Sequence, residues 1–226
     1  MKVIVIIPAR SGSKSLKNKN ILTFKGKPLL CHSISYGLKS KLVDKVVVST
    51  DSKHFSNIAE ACGANVPFIR PRNLALDNTQ DYPVMKHALD YFESIGEVYD
   101  VYILLRPTSP LRPQGLIEKA IHIIRNKPSL SSIRTIAKIK QHPFRAWEIN
   151  KNGSMSGFVQ YLNEPYNLPR QELPELYFQT GDLEAIRRDT LLNGSVSGKN
   201  IFPIIMGCEE VYDIDNESDF ERAEKS

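Results

Sequence analysis

The sequence predicts an α/β fold in which a central, mostly parallel β-sheet is flanked by helices. Three observations carry that prediction. The run Val3-Ile4-Val5-Ile6-Ile7 is continuous, β-branched and bounded by Pro8 and Gly12, which is the pattern of a strand buried on both faces. A helical spacing of apolar residues from Leu29 to Leu38 then leads to Val46-Val47-Val48, so strand, helix and strand form a βαβ unit with a right-handed crossover. Another apolar run, Val101-Tyr102-Ile103-Leu104-Leu105, follows a helical stretch through Val84, His87, Ala88 and Tyr91. A chain of 226 residues is ordinary for one α/β domain and can bury a sizeable core, so a single domain over 1–226 is expected.

The loop leaving the first strand opens at the carboxyl edge of the sheet, where open α/β sheets bind ligands. It carries Arg10, Ser11, Gly12, Ser13 and Lys14, followed by Lys17, Lys19 and Asn20. Small residues let backbone N–H groups close on an oxyanion and the cations neutralise it, so the predicted guest is a polyphosphate. The spacing is not that of a Walker A loop, and no Gly-x-Gly-x-x-Gly occurs. A solvated basic turn is the other reading of the same residues.

Composition narrows the partners. The net charge of +5 suits an anionic ligand, but the cations are scattered among 25 acidic residues with no basic block, so a nucleotide accounts for them better than a nucleic acid. Cys31, Cys62 and Cys208 are widely spaced, without a Cys-x-x-Cys or a nearby His cluster. They are expected to be buried small hydrophobes in a reducing compartment rather than a disulfide framework. No stretch approaches a membrane span of roughly 20 apolar residues, and the apolar start is too short for a signal peptide. A cytoplasmic protein is expected.

Further along, Ser49-Thr50-Asp51-Ser52 ends the second strand, and Asp51 is expected to cap a helix from His54 to Cys62, a place near the nucleotide being the other reading. The third strand ends in Arg106-Pro107-Thr108-Ser109-Pro110-Leu111-Arg112, a stiff loop presenting two hydroxyls at the ligand edge. Gly115 to Asn126 reads as a helix and Ser131 to Ala137 as a strand. From Lys138 the periodicity fails, and Asn152-Gly153 signals a hairpin. Thr180, Asp182 and Glu184 alternate onto one face if they lie in a strand; they either form an exposed polar face or bring two acids together for an amino group or a cation. Pro203 places the strand Ile201 to Ile205 at an edge, or Pro203 near its start. Asp213 and Asp215 face the same way on an extended segment, a geometry suited to Mg2+ with substrate phosphates; alternatively Asp215 caps the last helix, Glu217 to Lys225.

Five segments taken together resemble one family. They are Ile7-Pro8-Ala9-Arg10-x-Gly12-Ser13-Lys14 with Asn20-Ile21, Arg70-Pro71 with Leu74-Ala75-x-Asp77, Pro107-Thr108-Ser109-Pro110-Leu111-Arg112, Arg170-Gln171-x-Leu173-Pro174 with Tyr177, and Asp213-x-Asp215. The chain is similar to the CMP-N-acetylneuraminate synthetases, or acylneuraminate cytidylyltransferases, relatives of CMP-KDO synthetase. The resemblance implies a Rossmann-like nucleotidyltransferase (GT-A-like) fold and transfer of CMP from CTP to an acidic sugar, sialic acid or a related nonulosonate. It implies that Arg10, Ser11, Gly12, Ser13, Lys14, Lys19, Asn20, Arg70 and Asp77 hold the nucleotide. Arg106, Thr108, Ser109, Arg170, Gln171 and Thr180 would meet the acceptor, Asp213 and Asp215 would bind Mg2+, and Arg10, Lys19, Asp213 and Asp215 would drive the reaction. Residues 138–176 would form a dimerisation or lid subregion of a homodimer.

Two departures from the family pattern bear on specificity. Arg106 stands where most members have Gln, a change that favours a carboxylate or phosphate unless Arg106 pairs with a nearby acid. Thr180-Gly181-Asp182-Leu183-Glu184 stands where the family usually has Asn-Gly-Ala. The alternative is therefore a related transferase with another nucleotide or acceptor, such as GTP, a KDO-type sugar or a sugar phosphate. A non-catalytic nucleotide- or nucleic-acid-binding protein is disfavoured by the intact Asp213 and Asp215.

Overall fold

The computed structural model describes every residue except Lys14. The predicted role of Lys14 lies outside the described residues. In chain order the strands are β1 Val3–Pro8, β2 Thr23–Phe24, β3 Lys27–Pro28, β4 Lys45–Ser49, β5 Val101–Leu104, β6 Ser132–Lys138, β7 Trp147–Ile149, β8 Met155–Gly157, β9 Tyr177–Arg187 and β10 Ile201–Met206. The α-helices are α1 Leu29–Lys39, α2 Lys53–Ala61, α3 Asp81–Ser94, α4 Leu116–Asn126, α5 Arg188–Leu192 and α6 Glu217–Glu224. Among the described residues the main sheet has six strands in the order β10-β6-β9-β5-β1-β4. It is parallel at β1/β4, β1/β5 and β6/β10, and antiparallel where β9 pairs with β5 and β6.

The continuous apolar runs are explained by what covers the sheet. Val3, Val5 and Ile7 of β1 pack with α1, α2 and α4 on one face. Ile4 and Ile6 pack with α3, α5 and Tyr102 on the other. Burying both faces removes the polar alternation expected of a half-solvated strand. A third, smaller cluster gathers Phe24, Leu29, Ile214 and Ala223 with Leu16, Leu111 and Phe220, and it pins the carboxyl-terminal segment beneath the loop that follows β1. Pro203 lies on the edge strand β10, where its missing N–H costs no ladder bond. The Asn152-Gly153 hairpin forms between β7 and β8, with Gly153 at φ +82°.

Several expectations are corrected. Cys31 and Cys62 form a disulfide with Cα atoms 5.7 Å apart, because α1 and α2 pack side by side on one face of the sheet. Only Cys208 is a free thiol among the described residues. The cap of α2 is Ser52, whose side chain accepts from the Phe55 N–H, and this releases Asp51 for another partner. Helix α6 is capped by Asn216, in a reciprocal box with Asp219, so Asp215 is not its cap. Thr180, Asp182 and Glu184 are buried, not an exposed polar face, since β9 runs through the middle of the sheet and carries a bulge opposite Arg134/Ile136. Among the described residues no helix is long and apolar enough to cross a membrane.

Candidate active site

A cleft of about 480 Å³ lies at the carboxyl ends of β1 and β5, lined by Arg10, Ser13, Lys19, Asn20, Arg70, Asp77, Asp81, Arg106 and Thr108 among others. The loop after β1 is shaped from within. Asn20, almost fully buried, donates from Nδ2 to the Arg10 carbonyl at 2.9 Å. Ser11 donates from its backbone N–H at 2.9 Å and its hydroxyl at 2.8 Å to the two oxygens of Asp51. The Arg10 guanidinium pairs with Asp77 at 2.5 Å and donates to the Gly12 carbonyl at 3.1 Å. Arg70 is buried behind them. Burial lowers its pKa and the neighbouring Arg10 cation adds to the effect, while Asp51 opposes both.

The acidic segment near the end of the chain meets this loop. Ile214 is fully buried and its N–H donates to the Thr108 carbonyl at 2.8 Å, so the residues on either side of it turn away from that anchor. Asp215 accepts from Lys19 Nζ at 2.9 Å, which joins groups 196 residues apart in sequence. Asp213 lies beside Gly181 and Ser109. A Cβ on Gly181 would stand 2.7 Å from Ser109 Oγ and 3.5 Å from Asp213 Oδ2. Asp213 Oδ1, Ser109 Oγ and Arg70 Nε are buried without hydrogen-bond partners among the described residues. Buried polar atoms of this kind are expected to be satisfied by something; Arg70 lines the cleft, Asp213 and Ser109 do not, and Asp182 and Glu184 in β9 carry such atoms as well.

Arg106 takes the pairing with acids that the sequence left open. Its Nη1 donates to Glu184 at 2.7 Å and its Nη2 to Asp81. Burial alone would lower the pKa of this guanidinium, but the charges of Glu184 and Asp81 reverse the sign and raise it. Beneath it, Arg112 donates to the carbonyls of Asp182 and Arg106, each at 2.6 Å, and to Ser33 Oγ at 2.9 Å. Burial pushes Arg112 down to about 10, against the charge of Asp182. Asp182 is raised by burial, with Thr180 and Arg112 pulling the other way.

Not every predicted residue joins the cleft: Ser11, Gly12, Ser109, Asp213 and Asp215 are not among the residues that line it. Thr180 is buried and donates to Thr135 Oγ1 at 2.7 Å. Arg170 and Gln171 lie in the excursion that follows β6. Arg170 lines a separate hollow of about 460 Å³ with Lys138, Lys140, His142 and Arg145. Sequence reasoning missed Asp81 and Arg134, and it gave Glu184 no partner. The signals for Asp51 were its place at the end of β4 and the resemblance of Thr50-Asp51 to the family pattern.

A family model described as cytidylyltransferase matches residues 4–225. The chain belongs to the cytidylyltransferase family. Among curated family relatives, the N-acylneuraminate cytidylyltransferase of Escherichia coli is 34% identical over 222 residues, covering 98% of this chain and 51% of that protein. The CMP-N,N'-diacetyllegionaminic acid synthase of Legionella pneumophila is 31% identical over 227 residues, covering 100% of this chain and 96% of that protein. The chain therefore spans about half the length of the first relative and nearly all of the second. A solved CMP:2-keto-3-deoxy-manno-octonic acid synthetase complexed with CTP superposes with a TM-score of 0.73 at 22% identity, over 100% of this chain and 98% of that one. The fold is thus the Rossmann-like fold of nucleotidyltransferases. Within this cytidylyltransferase fold, Arg106 and Glu184 come from the two stretches that depart from the sequence pattern described above, and they touch each other.

Proposed function

We propose that the protein transfers the CMP moiety of CTP to the anomeric hydroxyl of a nonulosonic acid and releases pyrophosphate. The supporting observation is the Lys19–Asp215 contact at 2.9 Å, which closes a cationic loop and an acidic segment around one cleft in a chain whose relatives carry names for this chemistry. In-line displacement at the α-phosphate needs positioning and charge neutralisation more than a covalent intermediate. Arg10 and Lys19 are placed to neutralise the leaving pyrophosphate. Asn20 and Arg70 shape the nucleotide wall, and Thr108, Ser109 and Arg106 face the acceptor.

The donor set fits a magnesium ion: two carboxylates two residues apart, one with a buried oxygen that lacks a hydrogen-bond partner among the described residues, match a hard cation that shares its shell with phosphates and water. Asp213 and Asp215 would hold it. When bound, such an ion neutralises phosphate charge and acidifies a coordinated hydroxyl. Before substrate binds, Lys19 holds Asp215 next to the loop after β1.

The excursion supports pairing of two copies. Ile149, Met155, Phe158 and Tyr161 are 83%, 61%, 57% and 80% exposed there, and clustered apolar exposure marks an interaction surface. Arg170 and Gln171 would then serve the acceptor from a subunit edge. A cytoplasmic place for the reaction would make the Cys31–Cys62 bridge an exception in a compartment that keeps thiols reduced. The test is a pyrophosphate-release screen of the four ribonucleoside triphosphates against nine-carbon and eight-carbon ulosonic acids. CTP with a nine-carbon acid is the expected productive pair. Release with no acid, or preference for another nucleotide, overturns the reading.

A further inference from the structure

Glu184 is among the most enclosed charged groups in the chain, with a side chain 1% exposed. One oxygen accepts from Arg106 Nη1 at 2.7 Å and from Gln179 Nε2 at 3.1 Å. The other lies 3.1 Å from Arg134 Nη2, which itself donates to Ser197 Oγ at 2.7 Å. Arg106 completes the group by pairing with Asp81. Two acids and two arginines thus form a neutral set that runs from the interior of β9 to the cleft. Only its outer members, Arg106 and Asp81, line that cleft. The backbone of Arg106 is held as well, its carbonyl accepting from Arg112 Nη2 at 2.6 Å and Ser33 Oγ at 3.2 Å.

A guanidinium has five N–H donors. The bonds to Glu184 and Asp81 use two of them and fix the plane of the fork, so the remaining donors point in a direction that the buried carboxylate determines. Arg106 pairs with a half-buried acid, Asp81, on one side and an enclosed one on the other. An exposed pair exchanges readily with a competing anion, whereas a buried hydrogen-bonded pair does not. The orientation of Arg106 is therefore set from below.

We propose that Glu184 is a positioning residue that acts through Arg106 to align the acceptor sugar acid, a claim that rests on the reading of function given above. Glu184 never touches substrate. It holds the Arg106 fork so that its free donors meet an acceptor oxygen without reorganisation, which is the kind of support that pre-organised sites need around them. With Glu184 neutralised, Arg106 keeps its charge but turns toward Asp81 alone, and the acceptor loses an aligned partner while CTP does not.

The experiment compares the wild type with E184Q, R106Q and the double variant. KM and kcat are measured separately for CTP and acceptor, melting temperatures are recorded, and a crystal structure of E184Q is determined. E184Q should raise acceptor KM about tenfold with little change in CTP KM, and in the R106Q background the same substitution should add almost nothing, which is the coupling a double-mutant cycle detects. Equal effects of E184Q in both backgrounds overturn the proposal. So does an unchanged acceptor KM, or a parallel rise of both KM values that tracks loss of melting temperature. If the wild type turns over no acid, the reading of function fails. The positioning claim then stands on the E184Q structure alone, and an Arg106 guanidinium still in its wild-type place would overturn it.

Discussion

Replacing Asp215 by Asn separates what this residue does for the fold from what it does for the reaction. Asp215 makes one ion pair, with Lys19 at 2.9 Å, and its side chain is 70% exposed. Its backbone N–H is held independently, donating to Asp219 at 3.1 Å, and α6 has its own cap in Asn216. An exposed ion pair contributes roughly 0.2–1 kcal/mol. In a chain of 226 residues each kcal/mol corresponds to about 2–4 °C of Tm, so the variant should melt within about 4 °C of the wild type. Catalysis should respond on another scale. Removing one preorganised electrostatic contact at a reacting centre typically costs about 10²–10³ in kcat, and a carboxylate that would hold the magnesium ion is at least such a contact. The assay is CTP-dependent pyrophosphate release at several Mg2+ concentrations, with a thermal melt on the same sample. Near-wild-type kcat at saturating Mg2+ would refute the metal assignment, and a collapse of Tm would refute the claim that Asp215 matters little to the fold.

Gly181→Ala would drive a methyl group to 2.7 Å from the buried Ser109 Oγ; overpacking of this kind costs about 1–3 kcal/mol, and an unchanged denaturation midpoint would refute the close approach. The Cys31–Cys62 bridge closes a 31-residue separation, which predicts about 3–4 kcal/mol from chain entropy, or roughly 6–16 °C of Tm lost on reduction. Thiol titration of the denatured, unreduced protein should find Cys208 alone, and three free thiols would exclude the bridge. Burial, with the cation of Arg70 adding to it, holds His87 below its ordinary pKa of 6.5, so the folded chain binds fewer protons there than the unfolded one. That contribution is fully present above the ordinary value and is lost as pH falls through it toward the lower folded pKa. His87→Gln should therefore flatten the acid side of a urea-midpoint profile, and a profile parallel to the wild type would refute the assignment.

The strands were legible because β1, β4 and β5 are covered on both faces and so spell continuous apolar runs. The basic loop after β1 and the acidic pair were legible as local patterns. Their meeting, across 196 residues, had no local signature, and it depends on the small cluster that seats Ile214 under Phe24 and Leu111. The alternation rule failed at Thr180, Asp182 and Glu184 for a physical reason. A bulged central strand puts both of its faces in the interior; Glu184 there finds partners 78 and 50 positions away, while the carboxylate oxygens of Asp182 have no hydrogen-bond partner among the described residues. Asp51 was misread by one position, since Ser and Asp cap helices about equally well and only the loop's need for an acceptor at Ser11 decides between them. The disulfide was hidden because helix packing, not spacing, brings Cys31 to Cys62.

The cleft sorts its cations by how each is neutralised, and that ordering gives them different tasks. Arg10 and Lys19 pair with acids whose side chains are 41% and 70% exposed. Water screens such pairs, so a polyphosphate can displace the protein carboxylates at little cost. Arg106 shares a carboxylate that is 1% exposed, and breaking that pair would leave the buried charge to Arg134 and Gln179 alone, which is unfavourable. In the proposed reaction the exchangeable cations would meet charge as pyrophosphate forms and leaves, and the fixed one would orient the acceptor before reaction. A Lys in place of Arg106 would keep the charge and lose the distinction, because one ammonium cannot span Asp81 and Glu184 in a rigid fork.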